Sequence, residues 1–192
     1  MPISLRTHRC MPIVLSIEQK ERYFEEHFPH RLILLRTFRL RGCHLPEAEC
    51  PMDWHKNGDL IRCAKDSSIM AVRFWLEFFN KKGSCANSCK ENCGCETFIL
   101  KPAAPRSTDV RVDCFVPRPS EISPSAGDAD KLGRVYVIGD KHVAHFTGQA
   151  ADRGVLDNAL VAKASEIIEH LIREHLYVPS GREMPIHPIV YG

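Results

Sequence analysis

The sequence predicts an α+β fold with N-terminal helices and a Cys/His-rich metal-binding region, then an antiparallel sheet with a long C-terminal helix. Apolar residues recur at helical spacing in two stretches, 60–78 and 160–172. The segments ETFILK and DVRVDCFV have the composition of β-strands. Seven of the nine cysteines fall between residues 43 and 95, which places the metal-binding region before the predicted sheet.

The composition predicts a globular intracellular protein. With 192 residues and 44% hydrophobic content, the chain can bury a core as one compact domain or as two packed halves, 1–95 and 96–192. No apolar run is long enough for a membrane span, and the start lacks the apolar run of a signal peptide. The expected compartment is the cytoplasm or the nucleus, with the mitochondrial matrix as the alternative. Most of the cysteines would be reduced there.

The N-terminal region predicts one helix and one ambiguous segment. Ser16 and Gln19 have the spacing of a capping box, so a helix should begin near Ile17, and Pro29 should end it. The apolar segment RLILLRTFRLRG fits either a helix or a buried strand up to Gly42.

A stronger helix is predicted after Asn57 or Asp59, since either residue can cap its first turn. Gly83 is expected to end this helix. Its apolar residues share one face, which should belong to the core: Leu60, Ala64, Ala71, Trp75 and Phe78.

The C-terminal half is predicted to contain the sheet and its backing helix. The Pro- and Ser-rich stretch 117–133 should be a loop, and RVYVIGDKHVAHFTG should be a hairpin that turns at Gly139 and Asp140. NALVAKASEIIEHLIREHL follows as an amphipathic helix with a Glu169/Arg173 pair on its outer face. The predicted strand DVRVDCFV has four residues on one face: Val110, Val112, Cys114 and Val116.

Two groups of soft ligands predict about two zinc ions. The first group has intervening segments of six, four and seven residues, and its members can close a tetrahedral site: Cys43, Cys50, His55 and Cys63. Cys63 would lie in the first turn of a helix, where the positive end of the dipole favours a thiolate. His44 is an alternative to Cys43.

The second group places four thiols within eleven residues, in the segment CANSCKENCGC: Cys85, Cys89, Cys93 and Cys95. Thiolates this close repel one another unless a cation neutralises them, and Gly94 allows a sharp turn between the last two. An iron–sulfur cluster is the alternative occupant, but the common ferredoxin spacings are absent. A disulfide pairing is a further alternative.

Catalytic signatures are absent from the sequence. Nucleophile elbows, phosphate-binding loops and metalloprotease helices do not occur. A metal-dependent enzyme that uses His142 or His145 stays as an alternative, although their spacing of three points them to opposite faces of a strand. Two closed sets of four ligands favour a structural role for the metal.

The order of predicted elements over about residues 59–176 resembles that of a double-stranded-RNA-binding domain in a degenerate form. The resemblance is carried by a helix, a strand, a long loop, the hairpin RVYVIGDKHVAHFTG and the helix NALVAKASEIIEHL. It implies shape-based contacts with RNA. The paired lysines of that family are absent from the corresponding stretch RGVLDNA, where Asp157 is acidic, which argues against phosphate binding by this surface. A degenerate domain could still serve protein contacts.

A basic segment near the N-terminus offers another route to nucleic acid. Four arginines with Phe38 among them could engage phosphates and stack on bases: Arg31, Arg36, Arg39 and Arg41. The net charge of +2 argues against binding by bulk charge alone. The sequence therefore predicts a non-enzymatic zinc-stabilised binding protein of the zinc-finger type. Its expected place is in a ribonucleoprotein or another multiprotein assembly, with an iron–sulfur redox protein as the main alternative.

Overall fold

The computed structural model describes residues 13–40, 58–86, 97–103, 109–116, 119, 121–139 and 157–186. Within these ranges the fold is mixed, with a small two-stranded antiparallel sheet among helices, which is compatible with the predicted α+β class. The elements are α1 (Ile17–Arg22), α2 (Phe28–Leu40), α3 (Gly58–Phe78), β1 (Lys81–Cys85), β2 (Phe98–Pro102), α4 (Ala126–Gly139) and α5 (Asn158–Ile172). None of the helices in the described part is long and apolar enough to cross a membrane.

The first helix begins at the predicted capping box but continues past the proline. The Ser16 backbone N–H donates to Gln19 Oε1 at 2.8 Å, and the Gln19 N–H donates to Ser16 Oγ at 3.2 Å. The prediction that Pro29 ends the helix is wrong. A π-helical turn over Tyr23–His27 joins α1 to α2. A proline ring normally clashes with the carbonyl four residues earlier, and the wider π turn relieves that clash.

The ambiguous segment after Pro29 is helical, since it forms most of α2. Two contacts show that it runs antiparallel to α3. Ser68 Oγ donates to the carbonyl oxygens of Leu34 and Leu35, and the earlier residue Arg31 lies over the ring of the later residue Phe74.

Helix α3 is confirmed as the central core helix. Four of its five predicted core residues are buried, whereas Leu60 in the first turn is 46% exposed. Gly83 does not end the helix. Asn80 takes a left-handed φ of 56° two residues after Phe78, and asparagine tolerates that conformation better than most residues.

The strand predicted at ETFILK is confirmed as β2, which pairs with β1 in the register Gly83 to Leu100 and Cys85 to Phe98. Helix α4 packs closely on this hairpin, because a Cβ at Gly83 would lie 2.5 Å from the Gly133 carbonyl oxygen. The Phe98 N–H also donates to Asp130 of α4 at 2.6 Å.

Three predictions for the C-terminal half are wrong. DVRVDCFV is not a strand, since Val112–Cys114 form a 3₁₀ turn, although Val112, Cys114 and Val116 are buried as expected. The predicted loop 117–133 overlaps α4. Residues 134–139 of the predicted hairpin are helical, and the rest of it lies outside the described residues. Ser125 starts this helix by accepting the Asp128 N–H at 3.2 Å.

Helix α5 is confirmed, with Ala164, Ile168 and Leu171 buried on the predicted face. A second π-helical turn, Arg173–Tyr177, extends it. Buried residues from both predicted halves of the chain, from Phe28 to Tyr177, belong to one hydrophobic core.

Candidate functional site

The second cysteine cluster is attached to the end of the β hairpin. Cys85 is the last residue of β1, is buried, and pairs across the sheet with Phe98. One residue further, the Ala86 N–H donates to the Thr97 carbonyl oxygen at 3.1 Å. Residues 87–96 connect these two paired strands and lie outside the described residues. Their ends are therefore held about 5 Å apart by strand pairing.

That connecting segment contains Cys89, Cys93 and Cys95. Together with Cys85 they are the four predicted thiol ligands, and Cys85 is the one whose position is described. Because this segment has ten residues and both of its ends are fixed by strand pairing, its length limits how far the other three thiols can lie from Cys85.

The first cluster is represented in the described residues by Cys63, an exposed residue in the second turn of α3. Because α2 and α3 are antiparallel and Leu34 and Leu35 lie beside Ser68, Leu40 at the end of α2 is level with Cys63. Cys43 follows Leu40 by three residues, so its chain length limits its distance from the end of α2 to about 11 Å. Cys43, Cys50 and His55 lie outside the described residues.

The charged residues nearest to Cys63 along α3 are Arg62, Lys65 and Asp66. Burial lowers the pKa of Lys65, although Asp157 and Asp66 oppose that change. Burial raises the pKa of the Asp66 carboxyl, while Arg62 and Lys65 oppose it.

The two cysteine positions are far apart. Gly139 at the end of α4 contacts Ile69 of α3, whereas Asp130 near its start bonds to Phe98, the partner of Cys85. The nine-residue step along α4 from Asp130 to Gly139 therefore separates Phe98 from Ile69. Cys63 lies six residues before Ile69 on α3, which is further from the hairpin. At 1.5 Å per residue the two cysteines are roughly 20 Å apart. One metal ion cannot bind both.

The ligand sets themselves are not complete in the described part of the chain. No group of three or more His, Cys, Asp and Glu side chains there could hold a metal ion. Cys63 and Cys114 are not in disulfides. Cys114 is buried in the core, as its position on an apolar face predicts.

The arginines of the basic segment contact other parts of the protein. Arg36 is 6% exposed, and its guanidinium donates to Glu169 Oε1 at 2.8 Å and to the Pro185 carbonyl oxygen at 2.7 Å. Arg39 pairs with the other Glu169 oxygen. Arg31 lies 4.6 Å over the Phe74 ring. Arg41 lies outside the described residues.

The sequence did not predict this arginine network. The expected outward Glu169/Arg173 pair is wrong, because Glu169 faces α2 and binds two arginines there. One feature of the sequence could have indicated that Arg36 is buried. If the segment is helical, Arg36 shares a face with Leu32 and Leu35, both of which are buried.

No protein-family model matches the chain, and neither a curated protein nor a solved structure matches it. The resemblance to a double-stranded-RNA-binding domain therefore stays a prediction. Within residues 58–172 the described elements are a helix, two strands, a 3₁₀ turn and two helices.

Proposed function

We propose that this chain is a non-enzymatic, zinc-stabilised binding protein that works as a component of a multiprotein or ribonucleoprotein assembly. The observation that carries the proposal is the antiparallel pairing of Cys85 with Phe98, which closes a segment containing three more cysteines. Four thiols held in so short a closed segment are a suitable set for one tetrahedral zinc ion.

A second zinc ion would be held near the other end of α3 by Cys43, Cys50, His55 and Cys63. Cys63 and the end of α2 lie at the same level, and the segment 41–57 that connects them has the other three ligands. Because Cys63 and Cys85 are roughly 20 Å apart, the two sets would hold two separate ions. Each ion would shape a segment that has few apolar residues of its own to bury.

Structural zinc is favoured over catalytic zinc by ligand number. Each proposed site has four protein ligands, whereas a catalytic site keeps one position open for water or substrate. The metal-dependent enzyme would use His142 or His145, which lie outside the described residues. The iron–sulfur alternative uses the same four thiols as the second zinc site and differs in the metal bound.

A protein partner is favoured over direct RNA contact by the arginines. The guanidinium groups of Arg36 and Arg39 both bind Glu169, so contact with a phosphate requires that this network be broken. Binding of nucleic acid through Arg31, Arg36, Arg39 and Arg41 is the second form of the proposal. It would weaken steeply with salt.

The proposal is tested by comparing two cysteine variants. Cys93→Ser removes a predicted ligand, whereas Cys10→Ser removes a cysteine from outside both clusters. We expect Cys93→Ser to lower the free energy of unfolding by about 2 kcal/mol or more, and Cys10→Ser to change it by less than about 0.5 kcal/mol. Chemical unfolding of the two variants measures both values. Equal, near-zero effects contradict a structural metal site at the hairpin.

A further inference from the structure

An open groove of about 520 Å³ lies between the N-terminal helices and the chain that follows α5. Its lining combines flat apolar rings with charged groups: Phe24, Glu25, Pro29, Tyr177, Arg182, Glu183 and Pro185. Among the described residues that line it there is no cysteine, so metal content and binding in this groove can be measured separately.

The turn after α5 forms one side of the groove. Gly181 has a φ of 65°, and the Arg182 N–H donates to the Tyr177 carbonyl oxygen at 3.0 Å. This reversal directs residues 182–185 back across α1 and α2. The Pro185 carbonyl oxygen is fixed at the far end by Arg36.

The aromatic side of the groove already holds a cation. The guanidinium of Arg182 lies 4.4 Å from the centre of the Phe24 ring and pairs with Glu21. Phe24 in turn packs edge to face on Tyr177, with 5.5 Å between ring centres. A planar cation over an aromatic face is a favourable contact, because the ring face carries partial negative charge.

The groove is also acidic at its rim. Glu25 and Glu183 are both exposed there, and Arg182 is neutralised by Glu21. An incoming cation therefore meets two carboxylates without a paired base in the lining. An anion would be repelled by the same pair.

One buried polar group belongs to this groove and lacks a partner. Tyr177 is 2% exposed, and its hydroxyl has no hydrogen-bond partner among the described residues. Burial raises the pKa of Tyr177 to about 12, so the hydroxyl stays protonated at neutral pH and can donate or accept. A buried polar group without a partner is unfavourable, and a ligand that supplies a hydrogen bond to it would remove that cost.

We propose that this groove binds a basic side chain, an arginine or a lysine, from a peptide segment of a protein partner, and that Arg182 occupies that position in the unbound protein. The partner's cation would stack on the Phe24 ring and pair with Glu21 in place of Arg182, while the exposed carboxylates of Glu25 and Glu183 add attraction at the rim. The guanidinium of Arg182 would then leave the face of the Phe24 ring and move away from Tyr177. The two proline rings give the peptide backbone a flat apolar surface.

The test uses a fluorescein-labelled peptide of twelve residues, alanine and proline with three arginines, and measures its anisotropy with the full-length protein at low salt. Glutamine or glutamate replaces the arginines in two comparison peptides. We expect saturable binding of the arginine peptide. Glu25→Gln and Glu183→Gln should each weaken it about two- to fivefold, and Arg182→Gln should strengthen it by a similar factor.

Glu166→Gln is the matched control, because Glu166 lies on α5 eleven residues before Tyr177, roughly 16 Å along the helix. Both groove glutamates are exposed, so their amide variants should keep the fold, and thermal unfolding verifies this. No arginine-peptide binding below about 1 mM overturns the proposal. So does equal binding of the glutamine peptide, a preference for the glutamate peptide, or a loss in Glu166→Gln as large as in Glu183→Gln.

Discussion

Replacing Glu169 by glutamine is expected to lower the free energy of unfolding by about 3–5 kcal/mol. Glu169 accepts from two arginines, and the side chains of Arg36 and Glu169 are only 7% and 18% exposed. A neutral amide leaves the Arg36 guanidinium buried without its counter-charge. Arg36 would keep its bond to the Pro185 carbonyl, but a carbonyl dipole offsets a full charge poorly. Urea unfolding followed by circular dichroism measures the change.

The control for this substitution is again Glu166→Gln, three residues earlier on the same helix. Glu166 pairs with Lys163 at 2.9 Å, and both side chains are about half exposed, at 45% and 53%. Exposed pairs contribute little, so this variant should change stability by less than about 0.5 kcal/mol. If both variants lose the same small amount, the Glu169 network does not hold α2 to α5.

Trp75→Ala is expected to cost about 3–5 kcal/mol. Trp75 is fully buried and has ring contacts with Phe28, Phe74, Phe78 and Phe79, at centre distances of 5.4–6.2 Å. The alanine leaves a cavity between α2 and α3 that these rings cannot fill without leaving their own contacts. The same urea titration measures the loss.

Two further substitutions in α3 serve as controls for Trp75→Ala. Met70 is 40% exposed, so Met70→Ala should cost less than about 0.5 kcal/mol. Trp75→Phe should cost about 1 kcal/mol, because the smaller ring loses contacts but also removes an indole N–H that has no partner among the described residues. A loss in Trp75→Ala no larger than in Met70→Ala would show that Trp75 is not at the centre of the core.

The helices that carry strong local signals could be predicted from the sequence. Ser16 and Gln19 form the capping box that their spacing indicates, and α3 and α5 bury the faces that their apolar periodicity defines. These features depend on residues a few positions apart. The strand β2 was also predicted, since its apolar run is short and is bounded by polar residues.

The segment 134–139 shows where such local patterns fail. RVYVIG alternates polar and apolar residues as a strand does, but it is the second half of a helix that begins with capping by Ser125. Leu132 and Val135, three residues apart, are both fully buried. Gly139 fits against Ile69 because it has no side chain. Packing against α3 and the hairpin decides the conformation here, and no local pattern contains that information.

The candidate sites also differ in whether they can be predicted from the sequence. The cysteine clusters are visible in the sequence because their members are close together, and the hairpin then positions Cys85 at the base of one of them. Arg36 and Glu169 are 133 residues apart, so their pairing depends on the tertiary contact of α2 with α5. The groove at Tyr177 likewise combines residues from both ends of the chain.

Metal content is the most direct test of the zinc proposal. Elemental analysis of protein purified without added metal, together with a visible absorption spectrum, should give about two zinc ions per chain and no colour. Iron with sulfide and visible absorbance would replace the zinc site at Cys85, Cys89, Cys93 and Cys95 by an iron–sulfur cluster. Protein that contains no metal would contradict the account.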